Sequence, residues 1–255
     1  MKSVTVTKRG ASRVRNGHLW IYRSDILDSG DAEGGAIVVV RDQHGNFVGQ
    51  SLFSDASQIA LRLLTQADQP IDRDWWRQRI LEAARRRHVS ADTNAYRLVY
   101  SEGDLLPSLI IDRYNDVFVI QTLSQGTEAV KSLLVELLVE EFVPRAVLER
   151  NDVKVRALEG LEMLAGTLYG QAPAQLEIIQ DGIRFRVAPQ GGQKTGSFLD
   201  QRENRLAARV VAHGRGLDCL PSMARLRFTL RVSARVLSVS IFQEGRSTSR
   251  VAMPS

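Results

Sequence analysis

The sequence predicts a multidomain chain of mixed α+β and α/β class, and three observations predict it. Between Gly34 and Thr65, short β-branched runs alternate with turn residues, the pattern of a small antiparallel β-barrel. From Tyr96 onward, strands, one apolar-faced helix and further strands follow each other, as in a small α+β domain. A polar loop rich in glycine, GGQKTGSFLDQREN from Gly191 to Asn204, then leads into a helix-like run. These signals divide the chain into 1–68 (barrel), 69–94 (linker helix), 95–188 (central α+β domain), 189–219 (opening of a third domain) and 220–255 (an aberrant or disordered tail).

Composition narrows the class. The 255 residues are 44% hydrophobic and 25% charged, ordinary for a globular protein. No run of about 18 apolar residues is present, so no membrane span is expected. MKSVTVTKRG lacks the apolar stretch of a secretory signal. The single cysteine, Cys219, leaves no internal disulfide and no multi-thiolate metal site, and a reducing cytoplasm suits that usage. The net charge is +5, but residues 215–255 hold seven arginines against only Asp218 and Glu244. That segment accounts for the whole excess. The body of the chain is balanced, and only local patches can speak for nucleic acid.

One such patch opens the chain. Residues 2–23 carry Lys8, Arg9, Arg13, Arg15, His18 and Arg23 with Trp20 and Tyr22 interleaved, and no acid. Cations neutralise phosphates and aromatic rings stack bases, so Lys8, Arg9, Arg13, Arg15, His18, Trp20 and Arg23 are candidate RNA contacts. A solvated amphipathic segment is the plainer alternative.

The strands AIVVVRD, FVGQSLFS and QIALRLLT follow, with a turn at His44-Gly45-Asn46. A polar linker at 68–72 precedes a helix in DRDWWRQRILEAARRRHVS, with Asp72 or Asp74 at its start and Arg85, Arg86, Arg87 and His88 at its end. The helix dipole explains that order of charge as well as RNA does. In the central domain, strands are expected in YRLVYSEGD, LPSLIIDRYND and DVFVIQTLS. One helix is expected in TEAVKSLLVELLVEEF, with Leu133, Leu134, Leu137 and Leu138 on its apolar face. A strand in AVLERND and a hairpin turning at Asp181-Gly182 complete it. Glu102, Asp104, Asp112 and Arg113 lack metal-like spacing and are assigned turn and surface roles.

Gly191, Gly192 and Gly196 free the backbone to approach a ligand, and Lys194, Thr195, Asp200, Gln201 and Arg202 surround Phe198 with hydrogen-bonding groups. The same residues also suit a polar inter-domain loop with Asp200 as a helix cap. Local physics leaves both readings open.

Five stretches decide between them by resemblance: NGHLWIYRSDI (16–26), RDQHGNFVGQSLFSDASQI (41–59), SEGDLLPSLIIDRYND (101–116), LERNDVKVRALEGL (148–161) and GGQKTGSFLDQREN (191–204). Through about residue 219, the chain resembles the PUA-domain, SAM-dependent rRNA methyltransferases of the large-subunit cytosine-C5 type. The resemblance implies a PUA β-barrel, a central α+β domain and the start of a Rossmann-like methyltransferase domain. It implies S-adenosylmethionine as cofactor, ribosomal RNA as partner, no DNA, no metal, and a homodimer as a permitted state. It also implies that Lys194, Thr195, Gly196, Phe198, Asp200, Gln201, Arg202 and Asp218 bind the cofactor at the carboxyl ends of the strands.

Beyond Cys219 the chain departs from that family. The glycine pair, the Asp-Pro-Pro motif and the cysteine nucleophile are missing from LPSMARLRFTLRVSARVLSVSIFQEGRSTSRVAMPS. No catalytic residue is therefore assigned, and most of the catalytic domain is expected to be lacking. A shifted reading frame near residue 219 would produce such a tail; a genuine terminus with a disordered basic tail is the alternative. The function expected is RNA cytosine-C5 methylation with SAM. A non-catalytic RNA-binding module or an inactive truncated product is the competing reading.

Overall fold

The computed structural model describes residues 2–190, 199–211, 215–218 and 235–238. Two compact units divide at Leu199 and Asp200.

The first unit begins with β1 (Ser3–Val6), α1 (Lys8–Arg15), β2 (Trp20–Tyr22) and β3 (Ile26–Asp28). The basic entry segment thus forms part of the curled sheet. Thr7 caps α1, its hydroxyl accepting from the Gly10 amide at 3.1 Å. The expected meander follows as β4 (Ile37–Asp42), β5 (Phe47–Phe53) and β6 (Ile59–Thr65). The strand order is β2-β6-β5-β4-β1-β3, a curled six-stranded sheet. All its pairs are antiparallel except β1 with β4. Val4, Val6, Ala11, Val14, Ile21, Val38, Val40 and Leu61 fill its interior.

Helix α2 (Arg73–Arg85) starts where Asp72 accepts from the Trp75 amide at 3.0 Å, so Asp72 is the cap and Asp74 lies in the first turn. The second sheet comprises β7 (Ala95–Tyr100), β8 (Leu109–Tyr114), β9 (Val117–Thr122), β10 (Ala146–Arg150) and β11 (Ala165–Gly170), ordered β11-β10-β9-β8-β7. β9 and β10 run parallel, joined by α3 (Gln125–Ala129) and α4 (Lys131–Phe142). The single helix expected here is two. A capping box at Ser124 and Thr127 starts α3 early, and Val130 leaves helical geometry at φ −99°, ψ 8°. Leu134, Leu137 and Leu138 are fully buried as expected, while Leu133 packs only partly. The hairpin β12 (Leu176–Gln180) and β13 (Ile183–Val187) turns at Asp181-Gly182.

One core serves both sheets. Leu52 and Leu64 of the barrel join Trp75, Trp76 and Ile80 of α2 and Leu98, Ile111, Phe118 and Val147 of the central sheet. At the seam, a Cβ on Gly126 would lie 2.5 Å from that of Leu52. Only glycine lets α3 approach β5 this closely. Buried charge crosses the same seam, where Arg62 of β6 donates to Glu159 at 2.6 Å with side chains 8% and 2% exposed. Beside it, the fully buried Arg156 donates to Glu128 at 2.9 Å and to the Thr122 carbonyl. Burial works against ionisation of Glu128, but hydrogen bonds from Arg156, Lys131 and Thr122 outweigh it and lower its pKa from 4.5 to about 2.

Asp104 and Asp112 depart from the surface roles assigned to them. They are 3% and 0% exposed. Arg87 pairs with Asp104, and Arg97 grips Asp112 with two bonds of 2.8 and 3.0 Å. Burial of a carboxylate is tolerated here because each has a guanidinium partner.

A 3-10 turn at Leu199–Gln201 bridges the division and runs into α5 (Arg202–Val211) of the second unit, where β14 (Arg215–Asp218) pairs in parallel with β15 (Arg235–Ser238). β15 lies within the tail, where no strand periodicity was read.

Three outcomes follow from this packing. Val143 ends α4 with φ +45° and is 82% exposed, so Val143→Gly removes left-handed strain at little packing cost. It should stabilise the protein by about 1 kcal/mol in urea denaturation. Arg62→Met strands the Glu159 carboxylate and should destabilise by about 3–5 kcal/mol, with Arg62→Met/Glu159→Leu recovering most of the loss. Because folding lowers the pKa of Glu128, its contribution is complete above about pH 4.5 and drains away towards pH 2. Glu128→Gln should flatten the acid limb of the stability curve over that window.

Candidate functional site

The residues singled out for RNA gather on α1, β2 and the turn after it. Asp25 is the anchor of this region. It is fully buried and accepts from Arg9 Nε at 2.6 Å, Thr7 Oγ1 at 2.9 Å and Arg13 Nη1 at 3.2 Å. Burial opposes its ionisation, but the Arg9 and Thr7 hydrogen bonds prevail and hold its carboxyl below the usual range. Arg15 reaches Asp42 at 2.8 Å and, with help from Asn46, holds that carboxyl well below the carboxylate range. Arg23 donates to the Ser54 carbonyl at 2.6 Å and twice to that of Ser57, at 3.0 and 2.9 Å, bracing the loop between β5 and β6. Four of the five cations therefore hold the barrel together.

They remain partly available all the same. The side chains of Arg9, Arg13 and Arg15 are 61%, 38% and 49% exposed, and two buried carboxylates do not cancel five cations. Lys8 is exposed and has no partner among the described residues. Arg13 also stacks on Tyr22, its guanidinium carbon 5.3 Å from the ring centre. His18 meets Trp20 edge-on at 6.3 Å. Trp20 in turn donates its indole N–H to Glu102 Oε1 at 3.0 Å, a link to the central domain that the sequence did not signal.

The second group divides. Lys194, Thr195, Gly196 and Phe198 lie outside the described residues, as does Cys219. Asp200 and Gln201 form the 3-10 turn ahead of α5, and Arg202 opens that helix and bonds Glu203 at 2.9 Å. Asp218 is the last residue of β14, at the carboxyl end of the parallel pair with β15. Upstream, Arg150 grips Asp152 at 3.0 and 3.1 Å and donates to the Pro189 carbonyl at 3.0 Å. It borders a cavity of about 240 Å³ lined by Leu148, Glu149, Ala165, Gly166 and Gln190. Among the described residues, no group of His, Cys, Asp and Glu could hold a metal, and no helix is long and apolar enough to cross a membrane.

Known proteins match this arrangement. Residues 4–66 match the PUA-like domain family, the span of the curled sheet. A ribosomal RNA large subunit methyltransferase I of Aliivibrio fischeri is 38% identical over 85% of this chain and 57% of its own length. The same-named protein of Tolumonas auensis is 39% identical over 79% of this chain and 53% of its own. That of Klebsiella pneumoniae is 36% identical over 79% and 52%. The chain thus spans about half the length of these curated relatives. Two solved structures share the fold. One is a Streptococcus mutans protein inferred to be a SAM-dependent methyltransferase, with TM-score 0.76, 20% identity and coverage of 96% of this chain and 65% of that one. The other, an inferred methyltransferase complexed with SAH, gives TM-score 0.78, 20% identity, and 96% and 64% coverage. The chain therefore carries a PUA-like domain and is related, over most of its own length and about half of theirs, to the ribosomal RNA large subunit methyltransferases.

Proposed function

We propose that the chain supplies the RNA-recognition part of a cytoplasmic, SAM-dependent methyltransferase acting on cytosine C5 of large-subunit ribosomal RNA. The observation that carries this reading is the cationic, aromatic-bearing surface of α1 and β2 within the stretch that matches a PUA-like domain. The names of the relatives support the substrate class. Phosphate neutralisation by Lys8 and the outer faces of Arg9, Arg13 and Arg15 would supply sequence-independent affinity.

S-adenosylmethionine, when bound, supplies an electrophilic methyl group. Lys194, Thr195, Gly196, Phe198, Asp200, Gln201, Arg202 and Asp218 are the residues proposed to hold it. Among these, Asp200 and Gln201 before a helix, and Asp218 at the carboxyl end of a parallel strand pair, offer acceptors suited to an ammonium and to ribose hydroxyls. Methylation at C5 requires a thiolate to add at C6 and raise the nucleophilicity of C5. Cys219 directly follows β14, and no step is assigned to it. The described part of the second unit has a two-stranded sheet, and a sheet of that size is marginal alone. We infer that cofactor affinity in this chain is weak and RNA affinity is its principal property.

Fluorescence anisotropy and calorimetry on the purified chain test both parts. RNA affinity is expected to fall steeply with salt, and Lys8→Ala should lower the slope of log K against log salt by about 0.7 without altering stability. Salt-independent binding that Lys8→Ala leaves untouched would remove the barrel as the RNA contact. SAM is expected to bind more weakly than micromolar. Micromolar affinity would restore a catalytic role to the chain.

A further inference from the structure

Resting on the RNA reading above, we propose that a single-stranded RNA segment stacks on Tyr100 and Trp20, across the seam of the barrel and the central sheet, with its phosphates against Arg85 and Arg86. The surface is continuous through named contacts. Trp20, on the edge strand β2, is tied to Glu102, whose other carboxylate oxygen accepts from the Ser101 hydroxyl. Two residues before Glu102, Tyr100 ends β7 and is 58% exposed.

The ring is also held in place. The Arg97 guanidinium sits 5.4 Å from its centre. Arg97 itself is clamped by both oxygens of the fully buried Asp112. The Tyr100 amide donates to Asp104 at 2.6 Å. A stacking platform that is already rigid loses little entropy when a base settles on it. Strained backbone surrounds it: Ser101, Leu105 and Ser108 take positive φ values of 45°, 57° and 65°, a cluster that functional segments tolerate more often than structural ones.

Charge completes the surface. The acids on this face are already engaged, Glu102 by Trp20 and Ser101, and Asp104 by Arg87, by the Tyr100 amide and, at 3.9 Å, by Arg86. Two guanidinium groups share the Asp104 carboxylate. Arg85, the last residue of α2, is exposed and has no partner among the described residues. One exposed ring, a second half-buried one and cations in surplus over the acids suit unpaired bases joined by phosphates, since every base offers a π face to stack.

The test uses the full chain, a fluorescein-labelled oligouridylate and the same strand annealed to oligoadenylate. Tyr100→Ala should weaken binding of the single strand by roughly 5- to 100-fold, while Tyr100→Phe should stay within about twofold and neither should move the melting temperature. Arg85→Ala/Arg86→Ala should lower the salt slope by about 1.4. Ultraviolet crosslinking of a 5-bromouridine strand to the unaltered chain should mark a peptide containing Tyr100 or Trp20, whatever the fate of the variants. RNA binding that Tyr100→Ala and the arginine pair leave unchanged, or crosslinks confined to other peptides, overturns the proposal while sparing the RNA reading. Duplex bound as tightly as the single strand also overturns it. No binding of either RNA by the unaltered chain defeats the RNA reading itself.

Discussion

Everything in the first unit depends on charge buried where the barrel meets the central sheet. Arg62 and Glu159 come from elements nearly a hundred residues apart in the chain, yet neither is solvated and neither is tolerable without the other. Arg156, Glu128, Lys131, Glu149, Thr122 and Asn151 extend the network beneath α3 and the ends of β9 and β10. Apolar packing alone would allow the two sheets to slide. Directional bonds to buried carboxylates, together with the bare backbone of Gly126 against Leu52, permit one arrangement. That arrangement brings Trp20 of the barrel into hydrogen-bond contact with Glu102, two residues after Tyr100 in the chain.

The barrel meander, the α2 cap and the Asp181-Gly182 hairpin were legible because each rests on neighbours in the chain: alternation, a capping side chain, a turn dipeptide. The Leu134, Leu137 and Leu138 face was legible for the same reason. What escaped depends on partners far away. Asp104 and Asp112 look like turn residues until Arg87 and Arg97 arrive to bury them. The segment 2–23 looks like RNA contacts or a solvated amphipathic segment until Asp25 and Asp42 reveal what three of its arginines are bound to. β11 was not read at all, since AGTLYG offers little alternation and is recruited by β10. For the candidate site, the aromatic and cationic residues were visible in advance, but their division into structural and available groups was not.

That division changes how the basic segment acts on a polyanion. A guanidinium already bonded to a buried carboxylate retains part of its charge and outer donors but loses its freedom to reorient. Such cations present a patterned, stiff surface in place of a flexible tail, so the fold would fix where bound phosphates could sit. Lys8, by contrast, is free to adjust. The mixture would suit the proposed role of holding an RNA in one register.

The placement of β1 has a consequence for synthesis. Ser3 to Val6 precede both of their partners in the chain and lie between β3 and β4, with Ser3 beside Val39 and Val6 beside Asp42. Until β4 has left the ribosome, β1 can be paired along one edge only, by β3. A parallel pairing over that separation is a slow, non-local step. β1 is therefore a poor place for an insertion or a bulky label, because it has strand partners along both edges and does not lie on the rim of the sheet.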